Sequence, residues 1–168
     1  MNETLNFFRG KRVFVTGHTG FKGSWLTFLL RELGAEVMGF ALKPEPGPSH
    51  FDLLQMHEKL EHVIGDILNP YDLKNAMMSF KPEIVFHLAA QALVKSSYSN
   101  PYHTFNTNVM GSINLLDAVM DCSSVRSLVY ITSDKCYENR EWVWGYREND
   151  KLGGHDPYSA SKAAAEIV

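Results

Sequence analysis

The segment KRVFVTGHTGFKG, residues 11–23, decides the fold class. A short β-rich run ends at Gly17, and further glycines follow at positions 20 and 23. Glycine permits a tight turn and lets the main chain approach a pyrophosphate, whose charge is stabilised at a helix N-terminus. Between a strand and a helix, this spacing predicts dinucleotide binding, with a plain strand-to-helix turn as the alternative. Apolar residues at helical spacing then predict a helix over 21–33: Phe21, Trp25, Phe28, Leu29 and Leu33.

The alternation of strand and helix signals continues along the chain. Gly34 is a helix stop, residues 43–50 form a proline-rich loop, and Asn100 with Pro101 begins a long helix that extends to about Asp121. The apolar face of that helix is Phe105, Val109, Ile113, Leu116 and Met120. Strands are expected at 11–16, 36–41, 62–64, 83–88 and 127–132. This pattern predicts an α/β fold with a doubly wound parallel sheet of the Rossmann type.

Composition excludes several classes of protein. The 168 residues carry 16 Lys and Arg against 19 Asp and Glu, a net charge of −3, so a nucleic-acid partner is not expected. The sequence contains no apolar stretch of membrane-spanning length and no secretory signal pattern, which predicts a cytoplasmic protein without a membrane partner. The cysteines and histidines lack metal-ligand spacing, so no metal is expected.

The last helix signal begins at Asp156 and Pro157 and continues to the final residue. A helix that is not closed by Gly, Pro or a polar tail predicts a chain that continues. Residues 1–168 are therefore interpreted as an incomplete N-terminal dinucleotide-binding domain.

The cofactor cannot be chosen from the local sequence. NAD-binding folds usually place Asp or Glu at the end of the second strand to hold the ribose hydroxyls. Here Leu42 and Lys43 occupy that region, and Lys43 could face the extra phosphate of NADP. Asp66, after the third strand, is better placed for the adenine end, although it could equally be an exposed turn residue.

Three residues near the C-terminus suggest alcohol chemistry. Tyr158 and Lys162 are four positions apart and share one face of a helix. A lysine ammonium beside a phenol favours the phenolate, which can accept a proton from an alcohol that loses hydride. Ser133, at the carboxyl end of the last strand, could hydrogen-bond the same substrate oxygen.

These motifs, together with HLAAQ, the Asn-Thr-Asn-Val-Met-Gly stretch and YSASK, resemble the nucleotide-sugar branch of the extended short-chain dehydrogenases/reductases. The segments TGHTGFKGSWL, TSDKCYEN and GGHDPYSASK resemble the CDP-glucose 4,6-dehydratase group within it. The resemblance implies NAD as cofactor, a nucleotide-sugar substrate, a homodimer or higher homo-oligomer, and a C-terminal sugar-nucleotide domain beyond residue 168. The implied cofactor contacts are Gly17, Gly20, Phe21, Lys22, Gly23, Asp66, Ile67, Leu88, Ala89, Ala90, Gln91, Thr107, Tyr158 and Lys162.

The resemblance also implies a reaction. Tyr158 takes the proton of the sugar 4-hydroxyl while hydride passes to NAD; water then leaves from C6, and hydride returns to C6. Asp134 is the implied acid for the leaving hydroxyl, and Lys135 is either the C5 base or a stabiliser of the enolate. By itself, an Asp-Lys pair at a strand end is by default a solvated turn. Together with this pair, the catalytic set that the resemblance implies is Ser133, Asp134, Lys135, Tyr158 and Lys162.

Two further interpretations stay open. The run Trp142, Val143, Trp144, Gly145, Tyr146 could be a hydrophobic plug on a loop or a cover that excludes water from the sugar. The protein could also be an epimerase or reductase with the same Ser-Tyr-Lys set, or a fragment that only binds a dinucleotide.

Overall fold

The computed structural model describes residues 6–168, which divide into two compact units. The first unit comprises the described residues up to Ala89 together with Leu115–Ile131. The second comprises Ala90–Asn114 and Thr132–Val168. Each unit is described by itself.

The first unit contains a five-stranded parallel sheet of order β3-β2-β1-β4-β5. This is the doubly wound order, which confirms the Rossmann-type prediction. β1 is central, with Val13 opposite Val37 of β2 on one side and Ile84 of β4 on the other. The strands are β1 (Arg12–Thr16), β2 (Glu36–Ala41), β3 (Glu61–Ile64), β4 (Ile84–His87) and β5 (Ser127–Tyr130).

Helices connect these strands and pack on both faces of the sheet. Side chains alternate between the faces, so Phe14 of β1 belongs to one apolar cluster with Leu73 and Leu115, whereas Val13 belongs to another with Leu30. The helices of this unit are α1 (Phe21–Glu32), α2 (His50–Leu53), α3 (Pro70–Phe80) and the last part of α6 (Gly111–Asp121). The helix α3 was not predicted from the sequence.

The predicted helix α1 is confirmed, but several of the apolar residues on which the prediction was based do not lie on its buried face. Phe21, Trp25 and Leu29 are at least half exposed, whereas the buried residues of the helix are Gly23, Ser24, Thr27 and Leu30. Thr27 satisfies its buried hydroxyl by donating to the carbonyl of Gly23 (2.9 Å). Close packing beside the glycine turn therefore goes with small buried residues in the first two turns of α1, and the larger Leu30 is buried further along the helix.

The second unit is helical. It contains α4 (Val94–Ser99), α5 (Pro101–Phe105), the first turn of α6, a 3₁₀ turn at Asp134–Cys136 and α7 (Pro157–Ile167). The predicted helix from Pro101 to Asp121 is confirmed as a continuous run, with a π-helical turn at Asn106–Met110 between α5 and α6. Its apolar face is again only partly buried, because Phe105 and Met120 are exposed.

The predicted helix caps are also present. Asn100 accepts a hydrogen bond from the His103 amide (3.0 Å), and Asp156 accepts one from the Ser159 amide (3.0 Å). Among the described residues, no helix combines the length and the apolar character needed to cross a bilayer.

Candidate active site

The glycine turn in the first unit is built from close main-chain contacts. Gly17 has a φ of +75°, and a Cβ there would lie 2.7 Å from the amide nitrogen of Ala89. A Cβ on Gly23 would lie 2.1 Å from the carbonyl oxygen of Gly17. Gly20 is the N-cap of α1, and its amide donates to Gly17 (3.0 Å). Gly17 and Gly23 therefore let the turn pack closely against neighbouring main chain, and Gly20 leaves the N-terminus of α1 without a side chain, as the approach of a pyrophosphate requires.

A neutral imidazole lies directly beneath the turn. His18 is fully buried, and among the described residues neither of its ring nitrogens has a hydrogen-bond partner of good geometry. Burial, and secondly the neighbouring His62, lower the pKa of His18 to about 4. The absence of a side chain at Gly39 of β2 leaves space for the His18 ring, because a Cβ at Gly39 would lie 2.3 Å from it. Sequence reasoning singled out the glycines and not the ring that they accommodate.

The other predicted cofactor residues of the first unit have different environments. Phe21 and Lys22 are exposed in the first turn of α1. Asp66 follows β3 and accepts a hydrogen bond from the Leu68 amide (2.9 Å), which leaves its carboxylate half-buried at a turn. Ile67 is buried in the apolar core, so its side chain contributes packing.

The end of β4 is held to β1 through a threonine. The amides of Leu88 and Ala89 both lie 3.2 Å from the Thr16 hydroxyl, which also contacts His87 (2.6 Å). These bonds fix the main chain where a Cβ on Gly17 would collide with it.

A cavity of about 450 Å³ opens beside the glycine turn. The Thr19 hydroxyl donates to the Leu42 carbonyl (2.9 Å), which ties the turn to the end of β2. Glu45 is the acid that this cavity contains, and it lies on the proline-rich loop instead of at the strand end. The lining residues are Thr19, Gly20, Phe21, Lys43, Pro44, Glu45, Pro46, Gly47, Pro48, Ser49 and His50.

In the second unit, the helix α7 carries the predicted Tyr-Lys pair. Tyr158 is buried at the start of the helix, where its amide donates to the Ser97 hydroxyl (3.1 Å). Lys162 is also buried, at 5% exposure. Burial lowers the pKa of Lys162, and the carboxylate of Glu166 works against this shift.

Ser133, Asp134 and Lys135 form a turn on the chain after β5. The Ser133 hydroxyl donates to an Asp134 carboxylate oxygen (3.1 Å) and accepts from the Lys135 amide (3.2 Å). The next residue, Cys136, is buried and interacts with Glu166 of α7. Burial, and secondly the charge of Glu166, raise the pKa of this thiol. The buried cysteine therefore anchors a turn whose Asp and Lys side chains are exposed.

Those two exposed side chains line a cavity of about 230 Å³. Asp156, the cap of α7, faces the same cavity and is half-buried. Burial opposes ionisation of Asp156, but hydrogen bonds from Ser159 and the charge of Lys135 leave its pKa lowered. The cavity is lined by Asp134, Lys135, Tyr137, Asn139, Tyr146, Gly154, His155, Asp156 and Ser159. Sequence reasoning had proposed Asp156 only as a helix cap.

The aromatic run belongs to a loop closed at its base by a bridge between Tyr137 and Leu152. Tyr146 stacks on Tyr137 with ring centroids 5.3 Å apart, and its hydroxyl donates to the side chain of Asn139 (3.2 Å). Val143 and Trp144 point outward, at 91% and 73% exposure. The run is therefore not a buried plug: part of it supports the cavity wall, and part is open to solvent.

The remaining predicted residues lie near the π-helical turn. Ala90 is half-buried, and the Gln91 side chain is engaged with Thr104 (2.9 Å) and the carbonyl of Leu93 (3.1 Å). The Thr107 hydroxyl is buried and has no hydrogen-bond partner within residues 6–168. A ligand group that bonded to Thr107 would relieve this deficit.

Comparison with known proteins identifies the family. A family model described as GDP-mannose 4,6 dehydratase matches residues 14–168, a range that includes both the glycine turn and α7. The chain belongs to the GDP-mannose 4,6-dehydratase family. Membership places it among the extended short-chain dehydrogenases/reductases, as its motifs predicted.

Individual members and structural neighbours agree with this family. The chain is 56% identical to the CDP-glucose 4,6-dehydratase of Salmonella typhimurium, over 97% of this chain and 45% of that protein. The epimerase Mth375 of Methanothermobacter thermautotrophicus superposes with a TM-score of 0.85 at 30% identity, over 98% of this chain and 48% of that one. The UDP-glucose 4-epimerase of Brucella ovis, solved in complex with NAD, superposes with a TM-score of 0.79 at 26% identity, over 94% of this chain and 46% of that one. The chain thus spans about half the length of the relatives it matches.

Proposed function

We propose that this chain is the NAD-binding part of a cytoplasmic CDP-glucose 4,6-dehydratase, which converts its substrate to the 4-keto-6-deoxy sugar. The observation that carries the proposal is the cavity where Asp134 and Lys135 meet, because water loss needs an acid and a cationic or basic group together. The 56% identity to a CDP-glucose 4,6-dehydratase supports the choice of substrate.

NAD is the proposed cofactor, and its fit rests on two features of the chain. The cradle at Gly17, Gly20 and Gly23 would hold the pyrophosphate, beside Phe21 and Lys22. The unpartnered hydroxyl of Thr107 would meet a polar group of the cofactor. Asp66 and Ile67 are assigned to the adenine end, and Leu88, Ala89, Ala90 and Gln91 to the nicotinamide end.

Hydride chemistry is assigned to α7. When bound, NAD supplies the acceptor for the hydride of C4 and the donor for its return to C6. Tyr158 takes the proton of the 4-hydroxyl, and Ser133 hydrogen-bonds the same oxygen. Lys162, one turn further along the same helix, is assigned to stabilise the phenolate with its ammonium group, and burial lowers the pKa of this lysine.

Water loss is assigned to the turn after β5. Asp134, holding a proton, gives it to the hydroxyl that leaves C6. Lys135 faces the carbon that loses its proton, C5, either as the base or as the cation that stabilises the enolate. Tyr146 and Asn139 form a wall of the cavity and would limit the access of water to this intermediate.

An isotope experiment on the full-length protein tests the proposal. CDP-glucose carrying deuterium at C4 is incubated with protein and NAD, and the product is examined by mass spectrometry and NMR. We expect loss of one water and deuterium at C6. A product without water loss would contradict the dehydratase assignment and support an epimerase. Binding of NAD without turnover would indicate a dinucleotide-binding module.

The assembly is proposed from exposed apolar side chains of the second unit. Four large apolar side chains between residues 98 and 110, Tyr98, Tyr102, Phe105 and Met110, are 39–78% exposed, and burying such side chains against a second copy would stabilise an assembly. We expect the full-length protein, with a C-terminal sugar-nucleotide domain beyond residue 168, to form a homodimer or a higher homo-oligomer. Light scattering that detected only monomer at micromolar concentration would contradict this.

A further inference from the structure

The N-cap of α7 differs from the caps of comparable helices in this chain. Three described helices begin with an Asx-Pro pair, and two of them are capped by a neutral side chain, Asn69 before α3 and Asn100 before α5. The third, α7, is capped by Asp156. Because Asn and Asp cap helices about equally well, capping alone does not require a carboxylate at this position.

The carboxylate of Asp156 is held rigidly. One of its oxygens accepts from the Ser159 amide (3.0 Å), and the other accepts from the Ser159 hydroxyl (2.6 Å). Lys135, which is exposed and has a long side chain, lines the same cavity, and its charge acts on Asp156. A fixed anion facing a flexible cation restricts the positions that the cation can occupy.

We propose that Asp156 is a positioning residue that directs the amine of Lys135 into the cavity beside Asp134. The catalytic consequence of this pairing rests on the proposed dehydratase function, whereas the pairing of Asp156 with Lys135 does not depend on it. Besides Asp156 and Lys135, the titratable side chains that line the cavity are Asp134, Tyr137, Tyr146 and His155. Lys135 is the lysine in this lining set.

Substitutions at Asp156 separate its two roles. In Asp156→Asn the cap is kept and the charge is lost, which gives α7 the same cap as α3 and α5. In Asp156→Glu the charge is kept, but Glu is a poor N-cap. Thermal melting reports the capping role, so we expect Asp156→Asn to melt close to wild type and Asp156→Glu to melt lower.

Chemical labelling tests the pairing independently of any enzymatic activity. The full-length protein is treated briefly with an acetylating ester, and acetylation at each lysine is measured by mass spectrometry. Only a neutral, accessible amine reacts, so loss of the carboxylate in Asp156→Asn should speed acetylation of Lys135 about three- to tenfold. Lys95, an exposed lysine that does not line the cavity, is the internal control. Equal rates at Lys135 in the two proteins would overturn the proposal.

Product formation tests the consequence. With CDP-glucose, Asp156→Asn should slow water loss about tenfold while the first hydride transfer stays normal, and Asp156→Glu should recover most of the rate despite its lower melting temperature. The reverse ranking would show that Asp156 is only a cap. If wild type makes no 4-keto-6-deoxy sugar, the function proposed above is wrong, and the labelling result still decides whether Asp156 positions Lys135.

Discussion

The glycine turn and the cavity at Asp134 and Lys135 are built in opposite ways. The turn is made of main chain packed so closely that a Cβ at Gly23 would collide with it, and its buried imidazole, His18, is held neutral. The cavity is lined by exposed charged side chains on a turn anchored by one buried residue, Cys136. The first region depends on space and the second on charge, so substitutions should affect them in different ways.

The largest effect is expected at Tyr158, and it should separate catalysis from cofactor binding. Tyr158→Phe removes the proposed base but keeps the ring that is buried at the start of α7. We expect turnover to fall by about 10²–10⁴-fold, the usual contribution of general acid–base catalysis. NAD affinity, measured by calorimetry, should stay within a few-fold of wild type. A turnover near normal would remove Tyr158 from the mechanism.

Filling the turn should damage the first region through packing. Gly23→Ala places a Cβ 2.1 Å from the carbonyl oxygen of Gly17, a main-chain atom that cannot move aside. We expect a stability loss of about 3 kcal/mol, the upper part of the range for overpacking, together with weaker NAD binding. Gly145→Ala is the matched control, because a Cβ there meets nothing within 4 Å. Chemical denaturation of the two variants makes the comparison, and equal stability would contradict the close packing of the turn.

A smaller effect should appear as a pH dependence of stability. The folded protein holds the pKa of His18 at about 4, below its ordinary value of 6.5. Between these values the unfolded chain binds a proton that the folded protein does not, so stability falls as the pH drops. From about pH 7 to about pH 5 we expect a loss of about 2 kcal/mol from this residue. Denaturation of His18→Leu should show a correspondingly flatter slope, and an unchanged slope would exclude His18 as the cause.

The same contrast explains what could be predicted from the sequence. The turn was predictable because its requirements are local: a strand, glycines in a fixed spacing and a helix occur in consecutive residues. Strand β2 was predicted at the bounds that the structure gives, Glu36–Ala41. The cap residues Asn100 and Asp156 were likewise predictable, since a cap bonds to an amide about three residues away.

What depends on tertiary packing was not predictable. Periodicity identified α1 but not its inner face, because the buried residues nearest the glycine turn are the small Gly23, Ser24 and Thr27. The burial of His18 depends on the space above Gly39, on a different strand. Asp134 and Asp156 line the same cavity although a long loop separates them in the chain, and no local sequence pattern predicts that they lie close together. The roles assigned to Ser133 and to the other site residues stay predictions.

The proposed mechanism assigns hydride transfer to Tyr158 and water loss to Lys135, and the most direct test is to remove the second role alone. Lys135→Met keeps the length of the side chain and removes its amine, whereas the residues assigned to hydride transfer are untouched. In a rapid-mixing experiment on the full-length protein with NAD and CDP-glucose, the absorbance of reduced nicotinamide is followed over time. We expect a larger and longer-lived signal than in wild type, with little 4-keto-6-deoxy product, because water loss becomes slow. Product formed at the normal rate would contradict the account and leave Lys135 as a turn residue.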